Sequence, residues 1–181
     1  MVIGDRGIRK ELAIDAAKKM LIAARTAPKG KGIDIIECAY VTDEDIEAVA
    51  LELEAYNAET GYGFLLRDAS NIRQADALVL IGTRPKVQGL NCGHCGFATC
   101  AEKPLPVPCE LNSVDVGIAI GSACAAATDM RVDTRVMFSA GMAAQRLKML
   151  GDEVEQVYAI PLSISSKNPF FDRASTRPAK S

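Results

Sequence analysis

The sequence predicts one unit that combines helices with strands around a shared core. Three observations carry this expectation. Apolar residues recur every three or four positions over residues 8–23 and again over 111–128, the period of a helix with one buried side. A continuous apolar run at 77–81 and mostly apolar stretches at 33–41 and 154–160 have the length of buried strands. At 181 residues, 49% of them apolar, the chain is long enough for one substantial core and short for two full-sized domains. Residues 1–181 are therefore read as a single domain.

The first helix is expected from Gly7 to Arg25, with Ile8, Leu12, Ala16, Met20 and Ala23 on one side and Lys10, Lys18 and Lys19 elsewhere. Pro28 and the alternating glycines of Ala27-Pro28-Lys29-Gly30-Lys31-Gly32 end it. A strand at 33–41 follows. Thr42 is placed to cap a second helix, where Asp43, Glu44 and Asp45 complement its exposed amides. Ile46, Val49, Ala50, Leu53 and Tyr56 trace its apolar stripe. A short strand is expected at 62–66, a short helix at 70–75 and a core strand at 77–81. After a cysteine-rich interruption, the helix over 111–128 sets Val114, Ile118, Gly121 and Ala125 toward one neighbour, its small residues permitting close backbone approach. A helix at 140–150 and a strand at 154–160 complete the order, and residues 173–181 read as a frayed end.

Composition excludes several function classes. Lys plus Arg total 21 and Asp plus Glu total 23, a formal charge of −2, so no net basicity indicates a nucleic-acid partner. Aromatic residues are only 5%, too few for a single-strand stacking platform. The amino terminus is charged throughout, and no uninterrupted apolar run reaches the length of a membrane span. A cytoplasmic protein with no membrane partner is expected, and its clustered cysteines are read as reduced thiolates rather than as three disulfides.

Chemistry concentrates in Asn91-Cys92-Gly93-His94-Cys95-Gly96-Phe97-Ala98-Thr99-Cys100 and in Cys109, beyond the spacer Lys103-Pro104-Leu105-Pro106-Val107-Pro108. Cys92, Cys95, Cys100 and Cys109 lie within 18 residues in the pattern C-x2-C-x4-C-x8-C. Gly93 and Gly96 permit unusual backbone angles that aim amides at sulfur, and Cys100 is expected near the start of a short helix. Four thiolates meet the ligand count of a [4Fe–4S] cluster and equally that of a structural zinc. Spacing alone leaves the two open. Phe97 and the prolines would restrict water around either metal. His94, the only histidine, is read as a surface or outer residue, which leaves a Ser-His-Asp mechanism without support. Cys38 and Cys124 are read as core thiols.

Two loops are candidates for a second cofactor. Arg25, Lys29 and Lys31 put positive charge beside glycines, while Ser165, Lys167 and Asn168 follow the last strand. Together they would hold a flavin phosphate and the polar edge of its ring. The competing reading is two solvated loops that close ordinary secondary structure.

Four stretches carry a resemblance: Ala23 to Gly32, the cysteine segment, Asp115-Val116-Gly117-Ile118-Ala119-Ile120-Gly121-Ser122-Ala123, and Ile160-Pro161-Leu162-Ser163 through Phe171-Asp172-Arg173. In this order, over nearly the whole chain, they resemble a family of ferredoxin-domain-containing bacterial and archaeal proteins. That resemblance implies an iron–sulfur module and favours the [4Fe–4S] cluster over zinc. A more distant resemblance is to nitroreductase-like flavoproteins. It implies an α+β fold with a mixed sheet, the cysteine-rich segment 91–110 inserted in it, FMN, and a homodimer with the cofactor near the subunit boundary. The expected function is electron transfer through the cluster, with FMN coupling as in a flavin-dependent oxidoreductase. The alternative is a noncatalytic interaction or assembly protein stabilised by zinc or by the cluster. Neither the electron donor nor the acceptor is named by the sequence.

Overall fold

The computed structural model describes residues 1–172, so the expectation for residues 173–181 lies outside the described residues. The elements run α1 (Asp5–Thr26), a 3-10 turn (Gly30–Gly32), β1 (Ile36–Val41), α2 (Asp43–Thr60), α3 (Phe64–Ile72), β2 (Ala77–Thr83), α4 (Glu110–Asp129), β3 (Asp133–Thr134), α5 (Phe138–Arg146) and β4 (Glu155–Ser163). The strands form one sheet in the order β1-β2-β4-β3. All three pairings among the described residues are antiparallel, so the parallel part of a mixed sheet is not among them.

Alternation along β2 divides the core. Ala77, Val79 and Ile81 face α1 and α4, whereas Leu78 and Leu80 face α2, α3 and α5. β4 does the same, with Ile160 and Leu162 on the first side and Val157 and Ala159 on the second. The result is a sheet covered by helices on both faces. Each fully buried Leu or Ile contributes roughly 1.5–3 kcal/mol relative to exposure, which is why β2, buried along its whole length, is the spine.

Several expected elements shift. The strand expected at 62–66 is instead the start of α3, which also replaces the short helix at 70–75. Leu65, Asp68, Ala69, Asn71 and Ile72 are its buried residues, Leu65, Asp68, Ala69 and Ile72 recurring at helical spacing, so packing on α2 and α5 resolved an ambiguous apolar run as helix. Thr42 occupies the position before α2, but its side chain makes no capping bond. β1 begins at Ile36, because Ile33 closes the 3-10 turn and Asp34 Oδ1 accepts the Ile36 N–H at 3.2 Å. α5 ends at Arg146 rather than at 150.

α4 is turned differently from the expectation. Asn112, Asp115, Val116, Ala119, Ala123 and Ala127 are its buried positions, while Val114 and Ile118 stay exposed. Among the described residues it is the one helix long and apolar enough to cross a membrane by length and composition. Here it packs lengthwise on α1, with Ser122 Oγ donating to the Ala23 carbonyl at 2.9 Å.

Candidate functional site

Residues 84–109 leave the sheet at the end of β2 and return at the start of α4. Gly93 and Gly96 adopt φ of 73° and 88°, and Gly96 N–H donates to the Gly93 carbonyl at 2.9 Å. This tight turn holds Cys92 exposed and Cys95 half-buried. Cys100 lies in a turn at 98–102 rather than at the start of a helix. Asn91 and Cys100 bind each other reciprocally: Cys100 N–H donates to Asn91 Oδ1 at 2.8 Å, and Asn91 N–H donates to Cys100 Sγ at 3.3 Å. Cys109 is buried at the position that precedes α4, where its carbonyl accepts the amides of Asn112 and Ser113. His94 is exposed.

All six cysteines are free thiols. Four of them on one segment, with a backbone amide already directed at one sulfur, match the donor chemistry of an iron–sulfur cluster. Among the described residues, however, no three Cys, His, Asp or Glu side chains gather as a metal-holding group. The donors therefore fit in kind and number, and capture of a cluster requires the segment carrying Cys92, Cys95 and Cys100 to draw in toward Cys109.

Cys38 and Cys124 are half-buried rather than fully enclosed core thiols. Burial pushes the Cys38 thiol up, against the pull of the Arg25 guanidinium, whose nitrogen lies 3.6 Å from Sγ. Burial likewise raises Cys124, opposed by a hydrogen bond with Thr134. Burial thus opposes ionisation of both thiols.

The basic loop after α1 is already committed internally. Arg25 donates to Asp34 Oδ2 at 2.8 Å and to the Ile36 carbonyl at 2.6 Å. Partial burial alone would raise the Asp34 carboxyl, but Arg25 and the Ile36 amide hold it below the usual range. Lys29 donates to the last carbonyls of α1, at Ala24 (2.9 Å) and Arg25, a favourable place for a cation. Lys31 donates to the Gln88 carbonyl at 3.0 Å.

The second loop lies elsewhere. Ser165 donates to the Lys167 carbonyl, Lys167 Nζ is 3.6 Å from Asp172, and Asn168 Oδ1 accepts the Phe170 N–H at 3.0 Å. Asp76 ties this loop to the other end of α1, accepting from Arg9 at 2.7 Å and from Ile164 N–H at 3.0 Å. From Arg9 to Arg25 is roughly 24 Å of helix at 1.5 Å per residue. Within one chain the structure therefore does not bring Arg25, Lys29 and Lys31 together with Ser165, Lys167 and Asn168.

What meets Ser165 is a pair of arginines that sequence reasoning passed over. Asp5, Arg6, Arg9, Leu12, Ile164, Ser165 and Ser166 line an open cavity of about 510 Å³. A second cavity of about 500 Å³ shares Arg9 and Ser165 and continues past Arg73 and Ser163. Arg6 has no ion pair among the described residues. The available signal was the spacing of Arg6 and Arg9, three apart in the first turns of a helix and so on one side of it.

An uncharacterized protein of Archaeoglobus fulgidus is 38% identical over 184 residues, covering 96% of this chain and 98% of its own. Residues 106–173 match the family model described as an uncharacterized protein containing a ferredoxin domain. The chain belongs to this ferredoxin-domain family. The matched stretch takes in Cys109 and α4 and starts after Cys92, Cys95 and Cys100. Solved structures supply the fold of this ferredoxin-domain protein. A nitroreductase with bound FMN from Bacteroides fragilis superposes with a TM-score of 0.60 at 14% identity, covering 92% of this chain and 83% of that one. A putative nitroreductase in complex with FMN from Desulfovibrio desulfuricans gives 0.54 at 17% identity, with 91% and 80% covered. A nitroreductase family protein from Clostridium novyi gives 0.58 at 14% identity, with 83% and 73% covered. The fold is the α+β nitroreductase fold.

Proposed function

We propose that this ferredoxin-domain protein is an iron–sulfur electron carrier whose nitroreductase fold also accepts FMN. The observation that carries the reading is a set of four free thiols on one segment, three on the loop of residues 92–100 and the fourth, Cys109, fixed in the fold. Cys92, Cys95, Cys100 and Cys109 would hold a [4Fe–4S] cluster, which supplies one-electron steps when bound. Gly93 and Gly96 shape the turn between the first ligands, and the Asn91 amide is positioned to stabilise charge on Cys100.

For FMN, the cavity at Arg6, Arg9, Ser165 and Ser166 fits better than the loop of residues 25–32. Its volume is in the range of small-ligand sites, and Arg6, which has no ion pair among the described residues, presents a guanidinium suited to a phosphate, whereas Arg9 beside it is paired with Asp76. The cations of the other loop are spent on carbonyls and Asp34. Arg6→Ala is expected to weaken FMN binding to the metal-free chain by tenfold or more, about 1.4 kcal/mol or beyond, in a flavin-fluorescence titration. Arg25→Ala should leave it within about twofold. The reverse order would return the flavin to the loop of residues 25–32.

The same reading places the protein in a reducing cytoplasm, where thiolates persist, and makes it a homodimer through the exposed apolar side of α1 and α4, where Leu12, Ile22, Val114 and Ile118 lie open. The decisive experiment is anaerobic purification followed by iron, acid-labile sulfide, zinc and flavin quantification on one sample. About four irons and four sulfides per chain are expected. One zinc without sulfide would establish the alternative, a metal-stabilised interaction or assembly protein, in place of an electron carrier.

A further inference from the structure

Both ends of the cysteine segment are fastened to a single stretch of α4. Asn112 is buried, and its amide donates to the Lys86 carbonyl at 2.8 Å and accepts from Gln88 Nε2 at 3.0 Å. Three residues earlier, Cys109 enters the same turn, with its carbonyl accepting the Asn112 amide at 3.0 Å. One turn later, Asp115 accepts the Gly30 N–H on both carboxylate oxygens, each at 3.0 Å. The glycine-rich turn held there places Lys31 at φ 56°, a conformation uncommon for a residue with a side chain, and its ammonium reaches the Gln88 carbonyl.

The three groups converge at Gly30. A Cβ there would lie 3.5 Å from Asp115 Oδ2 and 3.8 Å from Gln88 Cδ, ordinary contact distances, so the turn faces both carboxylate and amide across about the space of one methyl group. Gln88 is 4% exposed, and its Oε1 has no hydrogen-bond partner. An amide is retained in so dry a place by the bonds on its other atoms, here to Asn112 and, through its backbone carbonyl, to Lys31.

We infer that Lys31, Gln88, Asn112 and Asp115 form a latch that positions the stem of the cysteine segment beside Cys109, so that Cys92, Cys95 and Cys100 close onto a fixed fourth ligand. This rests on the cluster reading above. Lys31 is the positioning residue open to test, because its side chain is at the surface and its loss removes one bond without hollowing the core. It takes the basic turn out of phosphate recognition and makes it a clamp on the metal segment.

The test uses the full chain reconstituted anaerobically with iron and sulfide. Lys31→Met is expected to release iron to a chelator about tenfold faster than the unaltered chain, the effect typical of removing a residue that supports a ligand. Lys31→Arg, which restores a donor to the carbonyl, should return the rate to within about twofold. In the metal-free chain, hydrogen exchange over residues 84–92 should be faster in Lys31→Met than in the unaltered chain, with β2 unaffected. Unchanged release together with unchanged exchange would overturn the latch. If the unaltered chain takes up no iron or sulfide, the cluster reading falls instead. Exchange over 84–92 in the metal-free chain then decides the latch alone, upholding it if accelerated and overturning it if not.

Discussion

Replacing Gly141 by alanine is expected to destabilise the protein by about 3 kcal/mol or more, the upper end for overpacking a core. The reason is a single close approach. A Cβ at Gly141 would lie 2.0 Å from the Val157 carbonyl oxygen and 2.4 Å from the Tyr158 Cα, both backbone atoms of β4. No rotamer relieves such a contact, so α5 must lift from the sheet. Ala140, Ala143 and Ala144, which pack between α5 and the sheet, would lose contact with it. For a chain of this size the loss corresponds to a fall in Tm of roughly 6–12 °C, measurable by thermal unfolding. Glycines in α4 give the opposite expectation from the same residue type. A Cβ at Gly117 or Gly121 meets nothing within 4 Å, so alanine there should raise the chain's stability by roughly 0.5–1 kcal/mol. A Gly141→Ala variant with an unshifted Tm would show that α5 is not seated on β4 as described.

Serine at Cys92, Cys95, Cys100 or Cys109 is expected to lower iron in the anaerobically purified protein to about a tenth or less of the unaltered value, since a hydroxyl is a poor substitute for a thiolate ligand. Serine at Cys38 or Cys124 should leave the iron content intact, because the first lies in β1 and the second well along α4, both outside the segment that carries the other four. Cys109→Ser is the most informative of the six. Its side chain is buried at the head of α4 while Cys92 is exposed, so it also tests whether the fold, rather than the loop, provides the fixed ligand. Iron and sulfide assays combined with visible absorption measure the effect. Equal iron in Cys109→Ser and in the unaltered chain would exclude it from the ligand set, and equal loss in all six variants would indicate unfolding rather than ligation.

The parts of this structure that were legible in the sequence are those governed by local period. β2 was readable because Ala77 to Ile81 is an unbroken apolar run, and α2 because Ile46, Val49, Ala50 and Leu53 repeat at helical intervals and are buried together. α3 was misread because residues 62–66 are too few to separate a period of two from one of 3.6. The side of α4 that faces the core was misassigned because the helix is apolar nearly all round. Its buried register is set by two polar residues, Asn112 and Asp115, whose partners lie 26 and 85 positions away in sequence. The pairing of Arg6 and Arg9 with Ser165 was invisible for the same reason: Asp76 joins the two ends of the chain, and nothing local announces it.

The position of the two candidate sites along β4 has a consequence for how current could flow. Gln156 lines the small cavity beside Cys109 and pairs with Ser113, whereas Ser163 lies in the cavity with Arg9 and Ser165. Seven steps of strand separate them, roughly 23 Å at about 3.3 Å per residue, and β4 between them carries Val157, Tyr158, Ala159, Ile160, Pro161 and Leu162. Tunnelling falls off exponentially over such a distance. On the proposed reading, a chain holding a cofactor at both ends would therefore behave as two terminals rather than as one wire, with the circuit completed outside it, by a second copy laid end to end or by a carrier that visits each terminal in turn.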